Sequence, residues 1–310
     1  MFAASISNTS GTATVAQIAG TTSAGSNNRI RVTTGTADTT VSAGELGYIL
    51  TRIEGTRSLD LCFGTARAKT VTLQFGVKAP AGTYCVTLTN SAGNRSYVSE
   101  YVISSGEANT DVIKSITVVG DTSGTWLMDT NTGIQVSWGL MVGTTYQQTA
   151  GSWGTVNAFG SINQFNIMGT VGNIFELFDV SLTEGTVAPP FQVPDYASEL
   201  ALCSRYFQNL TSTSGHFGIG QAISTVRAMI SVAFPGGPMR ASPTLVSPPG
   251  TYLLWGSGAG GLALTAQPVL NTVDPTKCWL DTSVASGLVA GNATYLIASA
   301  TQSLSFSARL

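Results

Sequence analysis

Along most of the chain, apolar and polar residues alternate with a period of two. Val71, Leu73, Phe75 and Val77 fall on one side of such a run and Thr72, Gln74 and Gly76 on the other. Tyr84, Val86 and Leu88 alternate in the same way with Cys85, Thr87 and Thr89. This period puts successive side chains on opposite faces of a pleated backbone, so each run predicts a half-buried strand. Between the runs lie Ala79-Pro80-Ala81-Gly82, Ser91-Ala92-Gly93-Asn94 and Gly120-Asp121-Thr122-Ser123-Gly124, which carry Gly, Pro or Asn where the backbone must reverse. Strands with turn signals every ~8–12 residues predict a sandwich or a barrel.

The alternation continues to Val171-Gly172-Asn173, and IFELFDVSL (174–182) closes the first region with one more strand. Ala188-Pro189-Pro190-Phe191-Gln192-Val193-Pro194 then reads as an extended connector, because proline lacks the donor a central ladder needs. In ELALCSRYFQNL (199–210), Leu200, Cys203, Phe207 and Leu210 recur at spacings of three, four and three, which predicts a helix. Asp195 or Ser198 can cap its start, and Thr211-Ser212-Thr213-Ser214-Gly215 marks its end. A helix of ~12 residues is marginal alone in water. Its apolar seam must lean on its own chain or on the same helix of two other chains about a threefold axis, and the spacing does not choose.

Period-two alternation then resumes. Ile230, Val232 and Phe234 share a face before Pro235-Gly236-Gly237-Pro238, and Pro243 and Pro248-Pro249-Gly250 mark further turns. Leu304, Phe306, Ala308 and Leu310 alternate with Ser303, Ser305 and Ser307, so the final strand must be docked in a sheet. The expected organisation is all-β: a sandwich over 1–187, a Pro-rich connector and linker helix over 188–212, and a smaller β domain over 213–310.

Composition narrows what such a scaffold does. Only 10% of the 310 residues are charged, against a usual ~25%, and Ser, Thr, Gly and Asn take their place. With 14 Lys+Arg against 16 Asp+Glu there is no clustered basic surface to hold nucleic acid. No apolar run reaches the ~18 residues of a membrane span, so neither nucleic acid nor membrane is an expected partner. Cys62, Cys85, Cys203 and Cys278 include no C-x-x-C pair and read as buried or half-buried thiols, although Cys62 and Cys85 could face one another across a sheet.

The candidate chemistry is sparse, and no catalytic residue, metal set or cofactor is expected. The single histidine, His216, sits in turn-like SGHFG without a G-x-S-x-G elbow elsewhere, so it reads as a surface loop residue. Paired acids for glycan cleavage are the weaker alternative, with Glu100, Glu176 and Asp179 as the strand acids. Glu176 and Asp179 point to opposite faces of one strand, which favours structural carboxylates or a calcium ligand in a loop. Sugar binding asks only for exposed rings with hydroxyls and amides near them. Of Trp126, Trp138, Tyr146, Trp153, Trp255 and Trp279, one or two should be exposed, and Trp153 and Trp255, beside Gly and Ser in apparent loops, are the expected ligand-binding residues. Sequons at Asn8, Asn94, Asn209 and Asn292 mean little without a secretion signal.

FDVSLTEGTVAPPFQVPDYASELALCSRYFQ (178–208) resembles a stretch of bacteriophage and prophage tail-fibre-like virion proteins, whose pattern runs Q-L-E-x-G-x-x-A-T-P-F and then E-L-x-L-C-Q-R-Y-Y. Leu182, Gly185, Ala188, Pro190, Phe191, Glu199, Leu200, Leu202, Cys203, Arg205 and Tyr206 match; Ser181, Thr183, Pro189, Ser204 and Phe207 depart. TRIEGTRSLDLCFGTARAKTVTLQFGVKAPAGTYCVTL, GDTSGTW and PMRASPT are similar to further segments of that family, so the resemblance covers most of residues 45–245.

It implies a jelly-roll β-sandwich, like a carbohydrate-binding module, joined by a short helix to a second β domain in a homotrimeric virion appendage. It implies other virion proteins and a host cell-surface glycan as partners, and supplies no catalytic residue. The chain begins almost directly in strand-like sequence, so attachment is expected through another protein or through the sandwich itself. A structural virion protein without receptor affinity, in a capsid decoration, collar or baseplate connector, is the alternative expectation.

Overall fold

The computed structural model describes residues 2–212, 215–246, 251–256, 259–298 and 300–309. The chain divides into two compact units, Met1–Val193 and Pro194–Leu310.

Among the described residues the first unit holds eleven strands: β1 (Phe2–Ser7), β2 (Thr12–Ala19), β3 (Asn28–Thr36), β4 (Leu46–Glu54), β5 (Val71–Lys78), β6 (Gly82–Asn90), β7 (Ser96–Ile103), β8 (Val112–Val118), β9 (Thr132–Val142), β10 (Trp153–Gly154) and β11 (Ile174–Glu184). They form two antiparallel sheets, ordered β1-β4-β9-β6-β7-β10 and β2-β3-β11-β5-β8, packed as a jelly-roll sandwich. The alternation read from the sequence decides the faces. Val71, Leu73, Phe75 and Val77 of β5 meet Tyr84, Val86 and Leu88 of β6 in one core, where Trp138 of β9 is fully buried and stands edge-on to Phe75 at 5.6 Å between ring centroids. The turn at Gly120–Gly124 is fixed by a two-pronged ion pair, Arg95 Nε and Nη2 each donating to Asp121 at 2.7 Å.

The outer face of the five-stranded sheet carries a charged network. Glu176 of β11 is 1% exposed and accepts from Arg29 and Arg31 of β3, while Arg29 also pairs with Asp111 at 2.8 Å. Phe178 lies across Gly76 of β5, where a Cβ would stand 2.0 Å from its ring, and the Arg29 guanidinium sits 4.5 Å above that ring. After Phe178 the ladder bulges, and Asp179 leaves it with a φ of 48° to accept from Ser26.

The second unit begins with α1 (Tyr196–Ser204), capped by the Asp195 carboxylate accepting from Ser198 N at 3.0 Å. Its strands are β12 (Phe207–Ser212), β13 (His216–Ala222), β14 (Arg227–Ala233), β15 (Thr244–Val246), β16 (Tyr252–Gly256), β17 (Ala259–Ala263), β18 (Val269–Val273), β19 (Lys277–Ser283), β20 (Ala293–Ala298) and β21 (Gln302–Ser307). Among the described residues one sheet has three strands, β12-β21-β15, and the other seven, β17-β16-β20-β13-β14-β19-β18. Their facing sides share a core in which Phe306 of β21 meets Phe234 at 4.9 Å. The docking expected of the last strand is met, since Leu304 and Phe306 are fully buried; Leu310 lies outside the described residues, as do the Pro248-Pro249-Gly250 turn and Thr213-Ser214.

Four expectations change. The helix stops at Ser204, and Phe207 and Leu210 belong to β12, paired residue by residue with β21. The six-residue ladder satisfies backbone groups and brings Leu210 onto the unit's core, which a one-turn extension of an isolated helix would not do. Leu200, Cys203, Phe207 and Leu210 are therefore not one helical seam, and Leu200 and Cys203 are exposed. The division between the two compact units falls inside the 188–212 segment, between Val193 and Pro194, and so ahead of the helix. His216 lies in a strand rather than a loop. Three of the four cysteines are buried or half-buried, and Cys203 is not.

Replacing Glu176 by Ala leaves Arg29 with Asp111 alone and takes a buried partner from the part-exposed Arg31, and should cost about 2–3 kcal/mol in urea denaturation; a loss below about 1 kcal/mol contradicts the network's role. Burial raises the Cys85 thiol above its ordinary range and pushes Cys278 up to about 12. Native protein at pH 8 should react with a thiol reagent at Cys203, with Cys85 and Cys278 modified only after denaturation, as mass spectrometry of the labelled peptides will show.

Candidate functional site

A strand that is buried on one side normally carries polar residues on the other. In the seven-stranded sheet several strands break that rule. Tyr252-Leu253-Leu254-Trp255, Ala293-Thr294-Tyr295-Leu296-Ile297 and Cys278-Trp279-Leu280 are apolar on both faces. Their inward residues Tyr252, Leu254, Leu296, Cys278 and Leu280 fill the core. The outward ones remain in solvent: Trp255 is 52% exposed, Tyr295 39%, Ile219 59% and Trp279 38%.

Register brings these four together. Trp255 of β16 pairs with Tyr295 of β20, Tyr295 with Ile219 of β13, Ile219 with Ser231 of β14, and Ser231 with Trp279 of β19. Thr272 of β18 completes the line beside Trp279. A neighbouring row adds Leu253, Ile297 and His216, whose ring lies 5.0 Å from that of Tyr295. On the other side, Gln221, Met229, Asp281 and Val269 form a third row, with Arg227 Nε donating to Asp281 at 3.2 Å. The result is an apolar, partly aromatic floor bordered by hydroxyl and amide groups, with Arg227 and Asp281 engaged with each other and Lys277 of β19 outward beside Trp279. Exposed apolar patches that span several strands mark interaction surfaces. Flat rings bordered by hydroxyls and amides take the C–H faces of sugars and then their hydroxyls.

The ring expected at 255 is thus exposed, although on a strand rather than a loop, and of the six candidate aromatics Trp255 and Trp279 are the exposed ones. Trp153 is placed differently. It forms β10 beside Tyr97, is half-buried, donates from Nε1 to Val119 O at 2.7 Å, and packs against Phe63, Tyr97 and Trp126 at 5.3–5.9 Å. Trp126 and Trp138 are buried. Tyr295 and Ile219 are not singled out by the sequence: the signal for Tyr295 is that YLLW and TYLI are apolar on both faces, and β13 carries no such signal for Ile219.

The strand acids do not meet. Glu176 is locked beneath its arginines on the five-stranded sheet, whereas Glu100 stands on β7 of the six-stranded one. Glu100 accepts from Ser161 Oγ and from Asn163 Nδ2 at 3.1 Å, within a loop whose Gln164 is bound to Cys85 N at 2.8 Å and Gly139 O at 3.0 Å. That loop covers part of the outer face of the six-stranded sheet. A cleft of ≈ 150 Å³ between β1 and β2, lined by Phe2, Val15, Ile30 and Ile49 among others, falls below the ~300 Å³ at which small-molecule pockets begin. Among the described residues there is no group of three His, Cys, Asp or Glu placed to hold a metal ion, and no helix long and apolar enough to cross a membrane.

No family model matches the chain, and a search of curated proteins finds no match. Solved structures that resemble it include the CBM22-1 xylan-binding domain of Paenibacillus barcinonensis Xyn10C, 8% identical with a TM-score of 0.28, over 60% of this chain and 87% of that one. The family 11 carbohydrate-binding module of the Clostridium thermocellum cellulase Lic26A-Cel5E is 9% identical with a TM-score of 0.29, over 61% and 90%. The CBM22-1-CBM22-2 tandem of the same Xyn10C is 7% identical with a TM-score of 0.29, over 99% and 93%. Likeness at this level assigns neither a ligand nor a site to this chain.

Trp255→Ala and Trp279→Ala should each shift stability by no more than about 0.5 kcal/mol, as surface changes do. Trp138→Ala should cost about 3–5 kcal/mol by the cavity it leaves. Chemical denaturation of the three variants checks the contrast; comparable losses in all three would mean that the outward rings are part of the core.

Proposed function

We propose that the protein is a virion appendage of a tailed bacteriophage, a fibre, spike or tip that attaches to the host surface by binding glycan. The observation that carries the binding half of this reading is the row Trp255–Tyr295–Ile219–Trp279 left open to solvent on a weakly charged chain. Exposed aromatic rings on a rigid sheet are costly to keep in water and supply stacking area to a sugar with little loss of side-chain freedom. The virion half is supported by the sequence resemblance over most of residues 45–245, and so is assembly as a homotrimer with other virion proteins. The sparse charge, 10% of residues, also suits an appendage that must avoid nonspecific adhesion.

Purified full-length protein passed over immobilised bacterial surface polysaccharides should be retained by at least one of them, released by free saccharide and little affected by salt, since the row carries no ionised side chain. Trp255→Ala should weaken that retention roughly tenfold, about what one stacked ring contributes. Absence of retention on every polysaccharide and every host cell tested would reject the attachment role and leave a structural virion protein. Retention unchanged in Trp255→Ala would move the site off this face.

A further inference from the structure

The exposed row has a direction. Trp255, Tyr295, Ile219, Ser231 and Trp279 are Cα partners from strand to strand, so their line runs across the strands and not along one of them. Four strand intervals of ~4.8 Å separate β16 from β19, which puts the two tryptophans roughly 19 Å apart. The side chains at its two ends are the large flat rings, and those between are Tyr295, Ile219 and the small Ser231.

Trp255 is also held in a particular attitude. A Cβ built on Gly261 of β17 would stand 2.5 Å from Trp255 Nε1 and 3.0 Å from its Cδ1, so the pyrrole edge of the indole fills the place where a side chain at 261 would project. Gly261 lets the indole lean over β17, away from Tyr295, while half of it stays open to water.

We propose that this line is an extended subsite for a linear, neutral polysaccharide chain lying across the strands, stacked on Trp255 at one end and on Trp279 at the other, and that Gly261 is the residue that positions Trp255. The proposal rests on the glycan-binding reading of this face. An extended pyranose chain advances per sugar by about one strand spacing, so about four or five sugars cover the row. Their C–H faces meet the two indoles, Tyr295 and Ile219, and their rim hydroxyls meet Ser231 and Thr272. The row itself has no ionised side chain, and beside it Arg227 and Asp281 are paired with each other, so the surface under the chain is neutral; Lys277 of β19, outward two residues before Trp279, adds one cation at that end. A second copy of this chain laid on the same face is the competing occupant.

The test uses the full chain and fragments of two, four and six sugars, fractionated from a partial acid hydrolysate of whichever surface polysaccharide it retains. Calorimetric affinity should rise at least roughly tenfold from two sugars to four and level off by six. In Trp255→Ala and in Trp279→Ala, the four- and six-sugar fragments should fall to the two-sugar level. Gly261→Ala should lower affinity for the longer fragments in the same way with an unchanged circular dichroism spectrum, and light scattering should give one mass for all four proteins. Equal affinity for two and six sugars, with binding intact, overturns the extended subsite and leaves the attachment reading standing. No retained polysaccharide removes the attachment reading and this proposal with it. A fall in mass in either tryptophan variant assigns the face to a second copy and overturns the proposal.

Discussion

The pleat gives every strand two faces, and a sheet can bury both only if something covers each. In the second unit the covering material is unequal. Three strands, β12, β21 and β15, stand against seven, and the core they share takes the inward side chains alone. The outward side of the larger sheet is then open, yet β16 and β20 are apolar there as well, and Ile219 and Trp279 extend that strip across β13 and β19. The open aromatic row is the product of that mismatch, because an uncovered apolar face is disfavoured in water unless a partner removes it.

The first unit solves the same problem differently. One outer face is covered in part by the chain itself, through the loop that pins Gln164 to Cys85 and Gly139. The other is made polar, with Glu176 buried between Arg29 and Arg31 and Phe178 laid against Gly76 beneath a guanidinium. Its tryptophans are accordingly inside or edge-packed: Trp126 and Trp138 are buried, and Trp153, which looks like a loop ring in the sequence, is held by Phe63, Tyr97 and Trp126. The two units thus divide labour: one spends its aromatic rings on a core, the other presents several of them outward.

How much of this was legible follows from what a period can encode. Alternation at Val71–Val77 and Tyr84–Leu88 fixes which side chains go inward, so the all-β class and the docked final strand were readable. Length is harder: ELALCSRYFQNL shows a helical spacing over three intervals, but only Tyr196–Ser204 is helical, since the choice at Phe207 is made by β21, almost a hundred residues away in the chain. The site shows the same limit. Trp255 could be singled out as a ring next to glycine, yet its partners Tyr295, Ile219 and Trp279 come from strands that only register brings into line, and register between distant strands is not written in either one. His216 reads as a turn residue because Gly215 precedes it, and it joins the floor only through the pairing of β13 with β20.

The most direct test of the account is oxidative footprinting of the tryptophans, read by mass spectrometry, with and without a retained polysaccharide. Before ligand is added, Trp255 and Trp279 should oxidise fastest, and bound polysaccharide should protect both while leaving Trp138 and Trp153 unchanged. Protection at Trp153 with Trp255 and Trp279 still reactive would contradict the assignment and place the binding surface in the first unit.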